Sequence, residues 1–367
     1  MRGPAVKLIV VAAGGTGGHF FPAEALAAEF LARGHRIALM TDARSAGLRS
    51  SVFAGHEQIV LPGAGLAGRG AKAISGAAGL ARGVLRARAV LRRLAPAALV
   101  GFGGYPSVPP VLAARSLGRL RPRIVLHEQN AVLGRANRFL ARRADLLALS
   151  FANTQRLPAR VPTRVVGDPV RAAFQPVEYA APEGDIRLLV LGGSLGARVF
   201  SDIVPPAVAL LPEPLRRRVR VVQQCRAEDV ARVRAAYQAQ GTKAELATFF
   251  HDVPQRLAAS HLVIARAGAS TVAELAIVSR PAILVPLPHA IDDHQTANAS
   301  ALADAGAAWL MPQAGFTPPA LAELLGRTLA DPAGLAAASA AAARQAHAEA
   351  AAALADLVEQ AMAEPVR

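Results

Sequence analysis

Short apolar runs alternate with amphipathic stretches along the chain. The first run, residues 6–12, is nearly uninterrupted and stops at Gly14-Gly15-Thr16-Gly17-Gly18-His19; residues 22–33 then carry helical spacing. Residues 97–101, 124–127, 146–149, 219–223, 262–265 and 282–286 are further apolar runs of strand length. Unbroken apolar strands belong to sheets buried on both faces, and their alternation with helices predicts parallel sheets between helical layers. At residues 186–191 the plan restarts: an apolar run, then Gly192-Gly193-Ser194-Leu195-Gly196-Ala197-Arg198, then a helix. The expectation is an α/β protein of two Rossmann-like doubly wound domains facing a cleft. Their boundary is expected near Val166-Gly167-Asp168-Pro169, giving domains 1–167 and 168–347. The alanine-rich stretch from Leu335 reads as one long helix whose end, about 348–367, packs back on the first domain.

Composition narrows the class. A length of 367 residues suits two domains, and 53% hydrophobic against 18% charged residues excludes a disordered chain. The single cysteine, Cys225, excludes an internal disulfide framework and a cysteine zinc cluster, and suits a reducing compartment. The apolar start is too short for a secretory signal. No apolar run reaches the ~18 residues that span a bilayer, so a soluble or peripheral protein is expected.

Charge is distributed unevenly. The formal total is +15; residues 1–167 hold 24 basic and 6 acidic side chains, whereas residues 168–367 hold 17 and 20. Between residues 58 and 127 there are 11 Lys or Arg and no Asp or Glu. There Leu80, Val84, Ala87, Leu91 and Leu94 follow 4-3-4-3 spacing, one buried helical stripe. Arg82, Arg86 and Arg93 fall opposite it, with Arg88 and Arg92 on the flank. A glycine-rich segment with Leu66 and Arg69 precedes them, followed by Lys72 and Ile74. Apolar side chains beside an arginine face suit an anionic membrane, where each basic residue contributes about 1 kcal/mol. Nucleic acid is not expected: aromatics are 4% of the chain and none lies between residues 58 and 102, so stacking platforms are missing from the basic segment.

Glycines between a strand and a helix let backbone N–H groups approach an anion, with the helix dipole adding favourable potential. Neither loop is a Walker A sequence, and the G-x-G-x-x-G at residues 63–68 lacks the acidic residue about 20 positions on. Residues 192–196 fit the G-x-S-x-G nucleophile elbow, with Asp292, Asp293 and His294 in hydrolase order. That reading leaves the first glycine loop unexplained, and a Ser194 hydroxyl donating to a phosphate at a helix N-terminus is the preferred reading. His127-Glu128 opens like H-E-x-x-H, but position 131 is alanine. His289 and His294 stand five apart in a proline-flanked loop, and no metal site is expected.

Seven segments in order carry a resemblance. They are Gly14-Gly15-Thr16-Gly17-Gly18-His19, Gly101-Phe102-Gly103-Gly104-Tyr105-Pro106-Ser107, His127-Glu128-Gln129-Asn130, Gly167-Asp168-Pro169-Val170-Arg171, the 192–198 loop, residues 266–274 and residues 289–298. With them the chain resembles the MurG family of bacterial peptidoglycan glycosyltransferases. The resemblance implies a GT-B fold and inverting transfer of GlcNAc from UDP-GlcNAc to the C4 hydroxyl of MurNAc in undecaprenyl-diphosphate-MurNAc-pentapeptide (lipid I), giving β-1,4-linked lipid II. It implies a peripheral place on the cytoplasmic face of the cell inner membrane, with cell-wall synthesis and division proteins as partners. UDP-GlcNAc is a substrate; no cofactor and no tightly bound metal are implied.

Site residues follow where motifs match. The resemblance implies donor contacts from Thr16, Gly17, Gly18, Asn130, Arg171, Ser194, Phe250, Ala269, Ser270, Thr271, Val272, Ala273, Glu274 and Gln295, with Glu274 on the ribose diol. Gly103, Gly104, Tyr105 and His127 fall to the acceptor. Inverting transfer needs a base on the acceptor hydroxyl. His19 is the first candidate because histidine titrates near operating pH, and Glu128 is its rival. Each also has a structural reading: a loop-ordering histidine, and a carboxylate satisfied by backbone N–H groups. Asp168 departs from the family's usual asparagine in Gly-Asn-Pro. Three alternatives to lipid I transfer are a GT-B glycolipid transferase with another membrane acceptor, a hydrolase built on Ser194 and a polyanion-binding module.

Overall fold

The computed structural model describes residues 6–15, 17–43, 50–62, 71–193 and 196–364. The chain divides into two compact units, Met1–Ala172 with Glu349–Arg367, and Ala173–Ala348.

In the first unit the described strands are β1 (Leu8–Ala12), β2 (Arg36–Asp42), β3 (Glu57–Leu61), β4 (Ala98–Gly101), β5 (Arg123–Glu128), β6 (Leu146–Leu149) and β7 (Thr163–Val165). They form one sheet in the order β3-β2-β1-β4-β5-β6-β7, every adjacent pair parallel. Helices α1 (Gly17–Ala32), α2 (Ala71–Leu94), α3 (Gly104–Arg115) and α4 (Arg135–Leu140) follow strands of this sheet. One core cluster joins Ile9 and Val11 of β1 to Phe20, Leu26 and Phe30 of α1; another joins Val10 and Ala12 to Leu91 of α2 and Val111 of α3. Alternate residues of β1 thus serve opposite faces.

The second unit repeats the plan with β8 (Ile186–Leu191), α5 (Arg198–Ala209), α6 (Glu213–Arg216), β9 (Val219–Gln224), α7 (Val230–Ala239), β10 (Lys243–Ala247), α8 (Val253–Ala259), β11 (Leu262–Ala265), α9 (Ala269–Ile277), β12 (Ala282–Leu284), α10 (His294–Asp304), β13 (Ala308–Leu310), α11 (Pro318–Leu329) and α12 (Pro332–Arg344). Its strand order is β10-β9-β8-β11-β12-β13, again parallel at each neighbour.

Three features differ from the sequence reading. Helix α1 begins at Gly17, not Pro22, which lies inside it. Glycine and proline hide the start on propensity, but packing of Phe20 (1% exposed) and Ala23 into the core overrides it. The alanine-rich end is two helices: α12 stops at Arg344, and α13 (Ala350–Ala363) belongs to the first unit. There Leu354, Ala355 and Val358 join the cluster of Phe20 and Phe30. Arg33 bonds Glu359 (3.1 Å) and the Ala352 carbonyl, and His35 lies 3.0 Å from Glu359. No glycine or proline marks the break at residues 345–349; it is where packing passes from one unit to the other. Finally, Arg93 is ion-paired with Glu57 on the neighbouring strand β3.

Candidate active site

In doubly wound sheets ligands bind outside the carboxyl ends of the strands, where the strand order reverses. Reversal falls between β1 and β4 in the first unit and between β8 and β11 in the second. The loops leaving these four strands contain the glycine segments at residues 14–19, 102–104, 192–196 and 266–268.

In the first unit, His19 is the third residue of α1 and half-buried. Gly104, the first residue of α3, has φ +64°, and a Cβ there would lie 3.4 Å from Cδ2 of His19. Glycine both adopts that backbone and leaves room for the ring. The Ser107 hydroxyl bridges the two loops, its single proton shared between the carbonyls of Ala12 (3.1 Å) and Gly103 (2.9 Å). The Tyr105 hydroxyl is shielded from solvent and has no hydrogen-bond partner among the described residues; burial raises its pKa, with the Asp42 charge adding to the effect. Arg171 stacks over the Phe21 ring at 4.3 Å.

Strand β5 ends in the run His127-Glu128-Gln129-Asn130. Both oxygens of the buried Glu128 are occupied. Oε1 accepts from the Asn130 backbone and side chain, each at 3.0 Å; Oε2 accepts from the Gly134 backbone and the Asn137 side chain, each at 2.9 Å. Four donors match the roughly four lone-pair sites of a carboxylate. Glu128 therefore has the geometry of a loop-ordering carboxylate, and no acceptor site remains for a substrate proton. His127 is fully buried; its Nε2 lies 2.9 Å from the Gly167 carbonyl and its Nδ1 3.0 Å from Nε2 of Gln129. Burial lowers its pKa to about 4, against the Gly167 bond and with the nearby His19 charge. Zero exposure makes His127 a support for the site, not a surface on which an acceptor rests. Gln129 was quoted in the sequence motif without a role. Its amide also meets His19, Nδ1 to Oε1, at 3.0 Å.

In the second unit, Ala269–Ala273 open α9, with Glu274 one turn in. The helix N-terminus offers unsatisfied N–H groups and positive potential. The Ser270 hydroxyl is shielded and without a hydrogen-bond partner among the described residues. Asn298 of α10, fully buried, donates to the Ala267 carbonyl at 3.1 Å. Arg266 donates to the carbonyls of Val285 and Pro286, both at 3.0 Å, and to Gln313 at 2.7 Å, with burial lowering its pKa. The Gln295 side chain accepts from the Leu287 backbone at 2.9 Å. These bonds join the loop before α9 to the segment before α10. Arg266 and Asn298 lie in segments the sequence singles out, but their bracing role was not legible there because their bonding partners are distant in the chain. At Gly192 a Cβ would collide with the Ala197 backbone, so only glycine fits that position. Phe250 is buried, with the Arg256 guanidinium 4.1 Å from its ring centre, so its side chain packs internally.

The donor residues expected from sequence divide between the units. Gly17, Gly18, Asn130 and Arg171 lie in the first; Phe250, Ala269–Ala273, Glu274 and Gln295 lie in the second. Thr16, Ser194, Leu66 and Arg69 lie outside the described residues. Lys72 and Ile74 fall at the start of α2. Arg82, Arg86 and Arg92 are exposed along that helix, as is Leu85 at 66%, while Arg88 is half-buried. Among the described residues no three His, Cys, Asp or Glu converge as metal ligands, and no helix is long and apolar enough to cross a membrane.

Comparison with known proteins gives a family for both halves. Residues 9–148 match the glycosyltransferase family 28 N-terminal domain, and residues 187–354 the C-terminal domain. A protein of Granulibacter bethesdensis is 59% identical over 98% of this chain and 95% of its own length. One of Acidiphilium cryptum is 57% identical over all of both chains. Both are named UDP-N-acetylglucosamine–N-acetylmuramyl-(pentapeptide) pyrophosphoryl-undecaprenol N-acetylglucosamine transferase. The crystal structure of Acinetobacter baumannii MurG is similar at TM-score 0.80 and 31% identity, covering 96% of this chain and 99% of that one. The glycosyltransferase of kitacinnamycin, at TM-score 0.71 and 17% identity, shares the fold. The fold is GT-B, and the chain belongs to the MurG family within glycosyltransferase family 28.

Proposed function

We propose that this protein transfers GlcNAc from UDP-GlcNAc to the MurNAc C4 hydroxyl of lipid I, with inversion, to give lipid II for peptidoglycan. The observation that carries the reading is identity of 57–59% with the named transferases over essentially the whole chain. The residue roles proposed are those that the family resemblance implies. Glu274, one turn into α9, accepts from the ribose diol. The α9 N-terminus and Ser270 donate to the donor diphosphate, as suits an anion at a helix N-terminus. Gln295 meets the sugar hydroxyls, and Gly17 and Gly18, at the start of α1, contact the donor as the resemblance implies. His19 accepts the C4 proton as the hydroxyl attacks the anomeric carbon and UDP departs. Its rival Glu128 is saturated by four donors. Tyr105, Gly103 and Gly104 border the acceptor.

The same reading places the basic face of α2 against an anionic bilayer, on the cytoplasmic side where the lipid acceptor is presented. Arg82, Arg86 and Arg92 are exposed there beside Leu85. Incubation with UDP-GlcNAc and a short-chain lipid I analogue should yield a disaccharide lipid with a β-1,4 linkage. Donor binding without transfer would reject this acceptor, and no donor binding would reject the transferase itself.

A further inference from the structure

We propose that Gln129 and His127 are positioning residues that hold the proton of His19 on Nδ1 and so leave the Nε2 lone pair as the base. This deepens the transferase reading and rests on it, since it takes His19 as the group that accepts the acceptor proton.

The assignment starts from a group that has no choice. A backbone carbonyl only accepts, so the 2.9 Å contact between His127 Nε2 and the Gly167 oxygen puts a proton on that nitrogen. His127 is wholly enclosed, and burial keeps it neutral at ordinary pH. A neutral imidazole carries one N–H, so Nδ1 of His127 must accept. Its partner at 3.0 Å is the Gln129 side chain, which must present its NH2 there. That fixes the orientation of an amide whose two ends are otherwise hard to tell apart. Reversing it would set the amide oxygen against a nitrogen lone pair. The Gln129 oxygen then faces His19 Nδ1 at 3.0 Å and accepts from it. On neutral His19 the proton is thereby taken by Nδ1. The free Nε2 lies on the side of Gly104, where a Cβ would come within 3.6 Å of it.

The relay differs from a carboxylate partner in one respect. Its far end is a neutral carbonyl, so it sets the tautomer and ring angle without placing a negative charge beside the base. Gln129 is 1% exposed, which removes water as a competitor for either contact.

The test is the histidine tautomer, read by long-range 1H–15N correlation on the full-length protein labelled with 15N-histidine, with signals assigned by His19→Ala and His127→Gln. The wild type should show His19 protonated at Nδ1 and His127 at Nε2. Gln129→Met should release His19 to the mixture of tautomers of a free imidazole. It should also lower kcat about 10- to 100-fold, within the range general-base catalysis supplies, while KM for UDP-GlcNAc stays within about twofold. Gln129→Glu keeps an oxygen that accepts from His19 Nδ1 but loses the NH2 that faces His127 Nδ1, so it should retain the Nδ1 tautomer of His19 while shifting the His127 signal. A His19 protonated on Nε2 in the wild type overturns the relay, as does an unchanged tautomer in Gln129→Met. The expected tautomers together with full activity in His19→Ala would instead overturn His19 as the base, and the catalytic role of the relay with it.

Discussion

The buried side chain of Asn298 donates to the carbonyl of Ala267 at 3.1 Å, joining two segments 31 residues apart in sequence. One segment opens α9 and the other opens α10. The donor site proposed in the second unit is thus braced by a contact between the loop before α9 and helix α10, not built from a single motif. Asn298→Ala should cost about 1–3 kcal/mol of stability by leaving that carbonyl unsatisfied. It should raise KM for UDP-GlcNAc and leave KM for the acceptor alone. Equal effects on both substrates would show that the brace does not belong to the donor side.

Glu274→Ala removes the carboxylate one turn into α9. Hydrogen bonds to a charged group contribute about 1.5–3 kcal/mol, so KM for UDP-GlcNAc should rise about 10- to 100-fold. An effect confined to acceptor use would reverse the assignment of substrates to the two units.

Glu128→Ala should behave as a folding defect. Removing the acceptor of four hydrogen bonds leaves buried donors unpaired, each worth about 1–3 kcal/mol, and the melting temperature should fall sharply. The acid limb of the kcat profile should stay where it is in the folded fraction. Loss of that limb with undiminished stability would make Glu128 the base.

Much of this architecture was legible in the chain. Residues 186–191, 146–149 and 262–265 matched their strands because a strand buried on both faces is a continuous apolar run. β3 (EQIVL) and β10 (KAELA) were missed because edge strands are short and half polar. The glycine loops were legible as candidate anion sites by composition alone. Gln129, Arg266 and Asn298 stood in motifs visible in the sequence, but their supporting roles, like that of Asn137, rest on contacts that only the fold shows. Likewise Glu128 reads in sequence both as a rival base and as a structural carboxylate; its four donors favour the second.

Acid should destabilise the protein in a defined window. The pKa of His127 falls from about 6.5 unfolded to about 4 folded, so the folded state binds fewer protons between those values. Stability is full above pH 6.5 and is lost as pH falls toward 4, by on the order of 3 kcal/mol. His261, lowered to about 4 by burial and by Arg187 and Arg280, adds to the same slope in the second unit. Melting temperatures at half-unit steps should trace the decline; a flat profile from pH 6.5 to 4.5 would contradict the buried neutral state.

Replacing Arg82, Arg86 and Arg93 together with serine should weaken binding to anionic vesicles, up to about 100-fold at roughly 1 kcal/mol each, while sparing UDP affinity. Arg93 alone should matter least, because Glu57 already pairs with it. Unchanged vesicle sedimentation in the triple variant would remove α2 as the membrane face.

The most direct measurement is UDP release from UDP-GlcNAc, followed with and without a short-chain lipid I analogue, for the wild type and His19→Ala side by side. The expected result is release that depends on the acceptor in the wild type and falls by about 10²- to 10⁴-fold in the variant, the span of general-base catalysis. Release that ignores the acceptor, or a variant as fast as the wild type, would contradict a lipid I transferase that uses His19 as its base.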